Sequence, residues 1–540
     1  MYLIENPVLQ RELLVNLRMG RAFVMLFIYV AAVSGVVCMA WPEGQTISLT
    51  NPKEGPTLFN LFMIGQFVLI SLMAPSFTAG SITGEKERKT YEMLLASPVK
   101  PGAVLLGKLL GSLVYLSTLI FASLPLVMMC LPLGGVHFSE LIAAYLNLVL
   151  AAATFGMICM TCSCFFQRTA AALVVSYLII LVLALFGVWF WLGLGGQRTS
   201  FRLLLSFTLV PAMCVFAWIA LYGFIHQRLL HPPDVGSEGK EVMDEEQELQ
   251  TAVGMVIQRD QFPDMLFAPS RRGDLLPDGA NPVFDKEMRN EIFASGTLML
   301  RLVIQISMFL AIPLMGVFLF ITPALAPWYI SYVVVFNMLV GPVFAADAVT
   351  SERERQTLDL LLTTVLTPQA ILWPKLLARL RVSTVLTMFL APPIFLAGVM
   401  VSDFYGTNWL TLGLYLLIIL MSCLTTCTLG MFCSVIFRRT ATSQTVCYMA
   451  VATLFVAPVA VSYFAHQFYM DDPHLVETID RLTFTSPFSA AFSAPLEIGG
   501  ATSGPKWPVY TFFFLFYATF DLFLLGWMVW LFQRRWRVAQ

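Results

Sequence analysis

The chain has 540 residues, of which 58% are hydrophobic and only 12% charged, with a mean hydropathy of +0.78, far above what a soluble core of this length carries. A formal net charge of −1, from 32 Lys+Arg against 33 Asp+Glu, leaves no basic field that would attract nucleic acid. Since a helical span needs only about 20 apolar residues, the composition predicts an all-α polytopic membrane protein with about a dozen spans.

Ahead of the first apolar run, Asn6-Pro7 supplies a good N-cap and a good first helical residue. Leu9, Leu13 and Leu17 then recur every fourth residue, with Arg11, Glu12 and Arg18 between them, which predicts an amphipathic helix on the cytoplasmic membrane surface. These charges also interrupt what a cleaved signal peptide needs, so none is expected. Spans follow at about 20 to 41, 57 to 80, 105 to 132, 140 to 165, 170 to 194 and 205 to 226. Between the second and third lies a charged loop, 84 to 101. In it Glu85 faces Arg88, Tyr91, Leu94 and Leu95 form an apolar face, and Pro101 marks the exit. The run from Gly102 to Gly107-Lys108 matches the start of a phosphate-binding loop. Leu109 stands where a Mg²⁺-binding hydroxyl is required and no strand precedes it, so the run is read as the entrance to the third span.

Residues 227 to 280, with Pro232-Pro233 and an acidic run from Glu241 to Glu248, read as a cytoplasmic linker between a first half (1 to 226) and a second (281 to 540). Asn281-Pro282 starts a second surface helix, with Phe284, Met288 and Ile292 on its apolar side and Lys286 and Glu287 among its charges. Spans follow at about 300 to 322, 328 to 349, 380 to 401, 409 to 435, 442 to 465 and 507 to 533. In the second loop Ser351 and Glu354 have capping-box spacing, Gly84 and Glu87 being the weaker counterpart. Glu352 faces Arg355, and Leu358, Leu361 and Leu362 form an apolar face that needs a partner or the membrane. Pro125, Pro132, Pro392-Pro393 and Pro458 mark expected helix deformations. A long outer segment, 466 to 506, includes a candidate re-entrant stretch, Ser486 to Phe492. Asp347 reads as a solvated helix end, and Asp521 as a deeper acid facing either a path or the bundle. All ten cysteines fall in apolar runs, which predicts free buried thiols and no metal centre.

The halves repeat one another. Asn6-Pro7-Val8 with Arg11-Glu12 recurs as Asn281-Pro282-Val283 with Lys286-Glu287. Glu85 to Leu110 aligns without a gap on Glu352 to Leu377, sharing Glu87/Glu354, Arg88/Arg355, Thr90/Thr357 and Lys108/Lys375. Cys162-Ser163, Phe166, Arg168-Thr169-Ala170 and Tyr177 recur as Cys433-Ser434, Phe437, Arg439-Thr440-Ala441 and Tyr448. An even number of spans per repeat gives both halves one orientation, related by an axis along the membrane normal. With both termini cytoplasmic, the outside holds only Lys53, Arg198, Arg202, Arg481 and Lys506 of the basic residues, as the positive-inside rule prefers.

The runs Glu85 to Ser97 and Glu352 to Thr364 resemble the coupling segment of ABC-2-type permeases, the membrane subunits of a class of ATP-binding cassette transporters. The resemblance covers both halves and implies six spans in each, an elbow helix before each first span and a loop helix docked in a groove of an ATPase. The coupling residues it implies are Glu85, Glu87, Arg88, Thr90, Glu352, Glu354, Arg355 and Thr357, and the elbow residues Arg11, Glu12, Lys286 and Glu287. It also implies ATP and Mg²⁺ on separate ATPase subunits, two of them, with no cofactor in this chain, in an inner (cytoplasmic) membrane, for export of a substrate the sequence does not name and with room for an accessory protein. Two departures stand out: the family often has Gly before the Thr, where this chain has Lys89 and Gln356, and it usually pairs two six-span chains, which are fused here. A twelve-span secondary transporter working without ATP is the alternative, although proton-coupled carriers need buried ionisable relays that this sequence largely lacks. An alkaline phosphatase reporter inserted between 227 and 280 is expected to be inactive and one between 466 and 506 active; the reverse pattern overturns the orientation.

Overall fold

A computed structural model describes residues 6–17, 20–40, 54–87, 90–96, 99, 101–132, 134–166, 168–193, 199–230, 281–289, 297–364, 366–469, 472–498, 501–503 and 508–536. Two compact units result, Met1–Ser237 and Glu238–Gln540. The linker reading falls outside the described residues from 231 to 280, and residues 227 to 230 still belong to a helix.

The first unit runs α1 (Pro7–Leu17), α2 (Gly20–Ala40), α3 (Glu54–Thr78), α4 (Gly80–Glu87), α5 (Tyr91–Ala96), α6 (Pro101–Met128), α7 (Phe138–Phe165), α8 (Thr169–Gly193), α9 (Thr199–Phe207) and α10 (Leu209–Leu230). The second repeats the order with α11 (Pro282–Arg289), α12 (Thr297–Met315), α13 (Ala326–Ala345), α14 (Thr350–Glu354), α15 (Leu358–Leu362), α16 (Pro368–Met388), α17 (Pro392–Met400), α18 (Ser402–Tyr405), α19 (Trp409–Ile436), α20 (Thr440–Phe455), α21 (Ala457–Phe468), α22 (Pro473–Leu482), α23 (Pro487–Ser493) and α24 (Val509–Trp536). Helix dominates because in a bilayer each backbone N–H and C=O must be satisfied within its own segment.

Among the described residues ten helices are long and apolar enough to cross a membrane, or eleven when the α20–α21 pair, bent by 42°, is one span. The expected span at 20 to 41 is helical as α2, with Tyr29–Met39 as its shorter apolar helix. Two spans begin earlier than hydropathy suggested: α6 and α16 start at Pro101 and Pro368, so Lys375 and Arg379 lie inside a helix rather than ahead of it. Pro392-Pro393 opens α17 just after α16 ends at Met388, and Pro458 sits in the first turn of α21, past the bend. α6, by contrast, continues past Pro125 to Met128 as one helix. An unforeseen π-helical turn, Gly316–Ile321, follows Pro313. The outer segment holds α22, α23 over the stretch expected to be re-entrant, and an unforeseen antiparallel hairpin, β1 (Leu496–Ile498) with β2 (Ala501–Ser503).

In the first unit α1 packs across the start of α6. A Cβ on Gly107 would stand 3.1 Å from the Leu9 backbone nitrogen, and one on Gly111 only 2.7 Å from Glu12 Cβ. The phosphate-loop look of Gly107-Lys108 thus has a packing cause: it lies within α6, at the crossing of two helices. Gly111→Val is expected to destabilise the unit by about 1–3 kcal/mol through overpacking, read as a lower midpoint of thermal unfolding in detergent; an unchanged midpoint overturns the contact.

Candidate functional site

The three repeated sequence blocks meet in space, once in each unit. Asn6 Oδ1 accepts from the Val8 N–H at 3.0 Å while its Nδ2 donates to the Ala103 carbonyl at 2.5 Å. Asn281 does the same with Val283 N–H (3.0 Å) and the Ala370 carbonyl (2.7 Å). One asparagine therefore caps the surface helix and pins it to the first turn of the third span.

Below that pin sits a lysine from the third span. Lys108 Nζ lies 3.2 Å from Glu85 and 3.6 Å from Glu12. Lys375 Nζ lies 2.5 Å from Glu287 and 3.4 Å from Glu352. Lys375 and Glu287 are only 2% and 4% exposed, and an ammonium so buried is tolerable only with carboxylates around it. The second unit adds Lys286 to Glu352 at 3.0 Å, and Arg379 to Glu287 at 3.8 Å and to Asp347 at 3.7 Å. Asp347 is therefore part of an ion-pair network, not a merely solvated helix end. At the same spacing, just beyond the two ends of that alignment, Gly80 and Ser112 occupy the places of Asp347 and Arg379, so the first unit lacks this extension.

The loop itself ties two helix ends together. Lys86 Nζ donates to the carbonyls of Ser163, Cys164 and Phe166 at 3.2, 2.6 and 3.0 Å. Arg353 reaches the carbonyls of Phe437 (2.6 Å) and Val435 (3.2 Å). A cation thus meets the carbonyl end of the fourth span, where the helix dipole favours it. One residue on, Glu87 accepts from the Thr169 N–H (2.8 Å) and hydroxyl (2.9 Å), and Glu354 accepts from the Thr440 N–H (2.9 Å). An anion thus meets the N–H end of the fifth span. Ser163 Oγ accepts from the N–H groups of Ile82 and Thr83 at 3.1 and 2.9 Å, as Ser434 Oγ does from Val349 and Thr350 at 2.8 and 2.9 Å.

The capping box expected at Ser351 and Glu354 does not form. The residue capping α14 is Val349, with no side-chain cap bond of its own, and Ser434 on α19 provides the acceptor instead. Nor does Glu352 pair with Arg355, which is exposed; its cations are Lys286 and Lys375. Arg88 lies outside the described residues. The hydroxyls of Thr90 and Thr357 donate to Glu85 and Glu352, and their N–H groups bond the carbonyls of the same residues at 3.0 and 2.9 Å. That five-residue closure is a Schellman-type helix end, whose penultimate position is left-handed. Gln356 fills it with φ 58°, where the resembling family often has Gly.

Of the elbow residues, Arg11 and Lys286 are exposed, while Glu12 and Glu287 turn inward to the lysines. The apolar face of the second loop is mostly used internally, correcting the expectation that it stands free. Leu358 is buried among Val349, Ile371, Leu372, Met431 and Phe532, with Leu361 and Leu362 packed against the same cluster. Tyr91 is buried likewise beside Leu105, Met160 and Ile225. Among the described side chains of these loops, Met93 is 75% exposed and, at the same register, Leu360 is 69% exposed.

Residues 7–204, and again 197–535, match the family described as ABC-2 family transporter protein. The chain belongs to that family. No curated protein matches it. The double match fits the internal repeat, and it makes the chain an ABC-2 permease, the membrane-spanning subunit of an ABC transporter.

Sequence reasoning singled out the repeated loop residues of this ABC-2 permease but missed the roles of Lys108, Lys375, Ser163 and Ser434. All four stood among the residues shared by the halves, and that was the available signal. Lys375→Met is expected to cost about 3 kcal/mol, because it leaves buried Glu287 only the longer Arg379 contact and Glu352 only the exposed Lys286. Lys108→Met costs less, its carboxylates being about a quarter exposed. Thermal unfolding in detergent should rank the two, and Glu287→Gln should partly rescue the first; equal effects or no rescue refute the account.

Proposed function

We propose that this ABC-2 permease exports its substrate across the inner membrane with energy from two separate ATPase subunits, one seated on residues 85–96 and the other on 352–362. ATP and Mg²⁺ belong to those subunits, and both termini of the chain face the cytoplasm with them. The observation that supports this reading is the pair Met93 and Leu360: two apolar side chains at one register, exposed on loops otherwise locked into their units. An apolar knob on a charged, rigid base suits insertion into a groove of a partner. The glutamates have a different part in it. Glu85 and Glu352 hold the loop to the third span and the surface helix, so a push on the knob reaches three elements together.

The test is capture of the candidate ABC ATPases of the same genome by the detergent-solubilised permease. Met93→Glu with Leu360→Glu is expected to abolish capture while leaving the unfolding midpoint unchanged, since neither side chain packs inside. Undiminished capture by that variant places docking elsewhere. Failure of the wild type to capture any ATPase of the same genome favours the ATP-independent carrier.

A further inference from the structure

The last span, α24, has two unlike faces. Phe513, Tyr517, Asp521, Leu524, Met528 and Phe532 recur at helical spacing and are buried. Asp521, left open by the sequence, faces the bundle, accepting from Thr425 at 3.1 Å and Thr428 at 2.7 Å. The opposite face carries a trough of about 480 Å³ lined by Leu522, Phe523, Gly526, Trp527 and Trp530. Gly526 leaves its floor open, with nothing within 4 Å of where a Cβ would stand. Trp527 is braced between Phe432 and Phe523, ring centroids 5.1 and 5.5 Å away, so that wall is held. At one end the Arg534 guanidinium lies 5.2 Å from the centre of the Trp530 ring, and the sequence continues Arg535-Trp536-Arg537.

An apolar trough on the outer face of a span is a place for hydrocarbon. A guanidinium held over an aromatic ring at its end is a fork for phosphate oxygens, and a basic cluster at a span's end attracts anionic lipid. We propose that this trough binds an anionic phospholipid of the leaflet at the C-terminal end of α24. One acyl chain lies across Gly526 against Trp527 and Trp530, and the phosphate accepts from Arg534. An interfacial aromatic belt alone would hold any phospholipid. The trough adds selection by headgroup, because the charge sits at the end of a seat shaped for one chain.

The test uses the full chain reconstituted in phosphatidylcholine vesicles containing a minor fraction of dibrominated phosphatidylglycerol or, in parallel, dibrominated phosphatidylcholine. Tryptophan quenching attributable to Trp527 and Trp530 is the difference between the parent and its Trp527→Phe/Trp530→Phe variant. Brominated phosphatidylglycerol is expected to occupy the trough about fivefold more strongly than brominated phosphatidylcholine, the ratio that one arginine at a membrane surface supplies. Arg534→Gln should erase the preference while keeping the quenching, and Gly526→Leu should remove both. Equal quenching by the two lipids in the parent, or a preference that survives Arg534→Gln, overturns the proposal. So does loss of the signal on raising the protein-to-lipid ratio, which would mean a second copy covers the face. Arg534 is exposed, so its variant keeps the test decisive even where Gly526→Leu fails to fold.

Discussion

A lysine ammonium at the foot of the third span must be neutralised where water scarcely reaches, and that constraint organises each half. The span can supply no carboxylate at the right height, so two come from elsewhere: one from the surface helix before the first span and one from the loop after the second. Lys375, with Glu287 at 2.5 Å and Glu352 at 3.4 Å, is the tighter case. Three segments far apart in sequence thereby acquire a common anchor. The asparagine that caps the surface helix adds a neutral tie between two of them. The loop in turn bonds the end of the fourth span and the beginning of the fifth, with a cation at the carbonyls and an anion at the N–H groups, each matching the local dipole. Hydroxyl bonds from Tyr177 to the Leu72 carbonyl and from Tyr448 to that of Leu339 bring in the middle of the second span.

The two hubs share a plan and differ in depth. The second carries Arg379 and Asp347 where the first has Ser112 and Gly80. Higher in the bundle, Ser383 Oγ donates to Asn337 Oδ1 at 3.2 Å, with Thr426 alongside. The aligned residues of the first half are Leu116, Ile70 and Phe155. A polar layer inside a membrane bundle is held by mutual hydrogen bonds and gives its helices one register. At this level the second half thus combines a stronger anchor with polar side chains and the first a lighter anchor with apolar ones, while the first keeps a buried polar cluster elsewhere, Gln66 Nε2 donating to Ser123 Oγ at 2.9 Å with the Tyr145 hydroxyl 3.0 Å from the same oxygen.

Much of this was legible in the sequence, for a reason that also limits it. Spans follow from hydrocarbon thickness, and shared residues from the repeat, both of which act along the chain. The hub contacts act across it: Lys375 and Glu287 stand 88 positions apart, and no local pattern says that two like-placed residues touch. Ser351 and Glu354 had capping-box spacing, yet Ser434 of another helix caps the segment, a tertiary contact overriding a local preference. The leucines of the second loop were rightly read as an apolar face. Their direction was not readable, and most of it turns out to line the permease's own core. Hydropathy also set the start of α16 too late, because buried Lys375 and Arg379 lower the apolar average of turns that are nonetheless helical.

Gln356 occupies a left-handed backbone position in one loop, and the two anchors have diverged around a common frame. In a permease assembled from two identical chains, any change at such a place is made twice and must suit both copies at once. Fusion removes that double jeopardy. A substitution in this gene reaches one hub and leaves its twin as an internal standard inside the same molecule, so the work of each half can be dissected separately without mixing subunits.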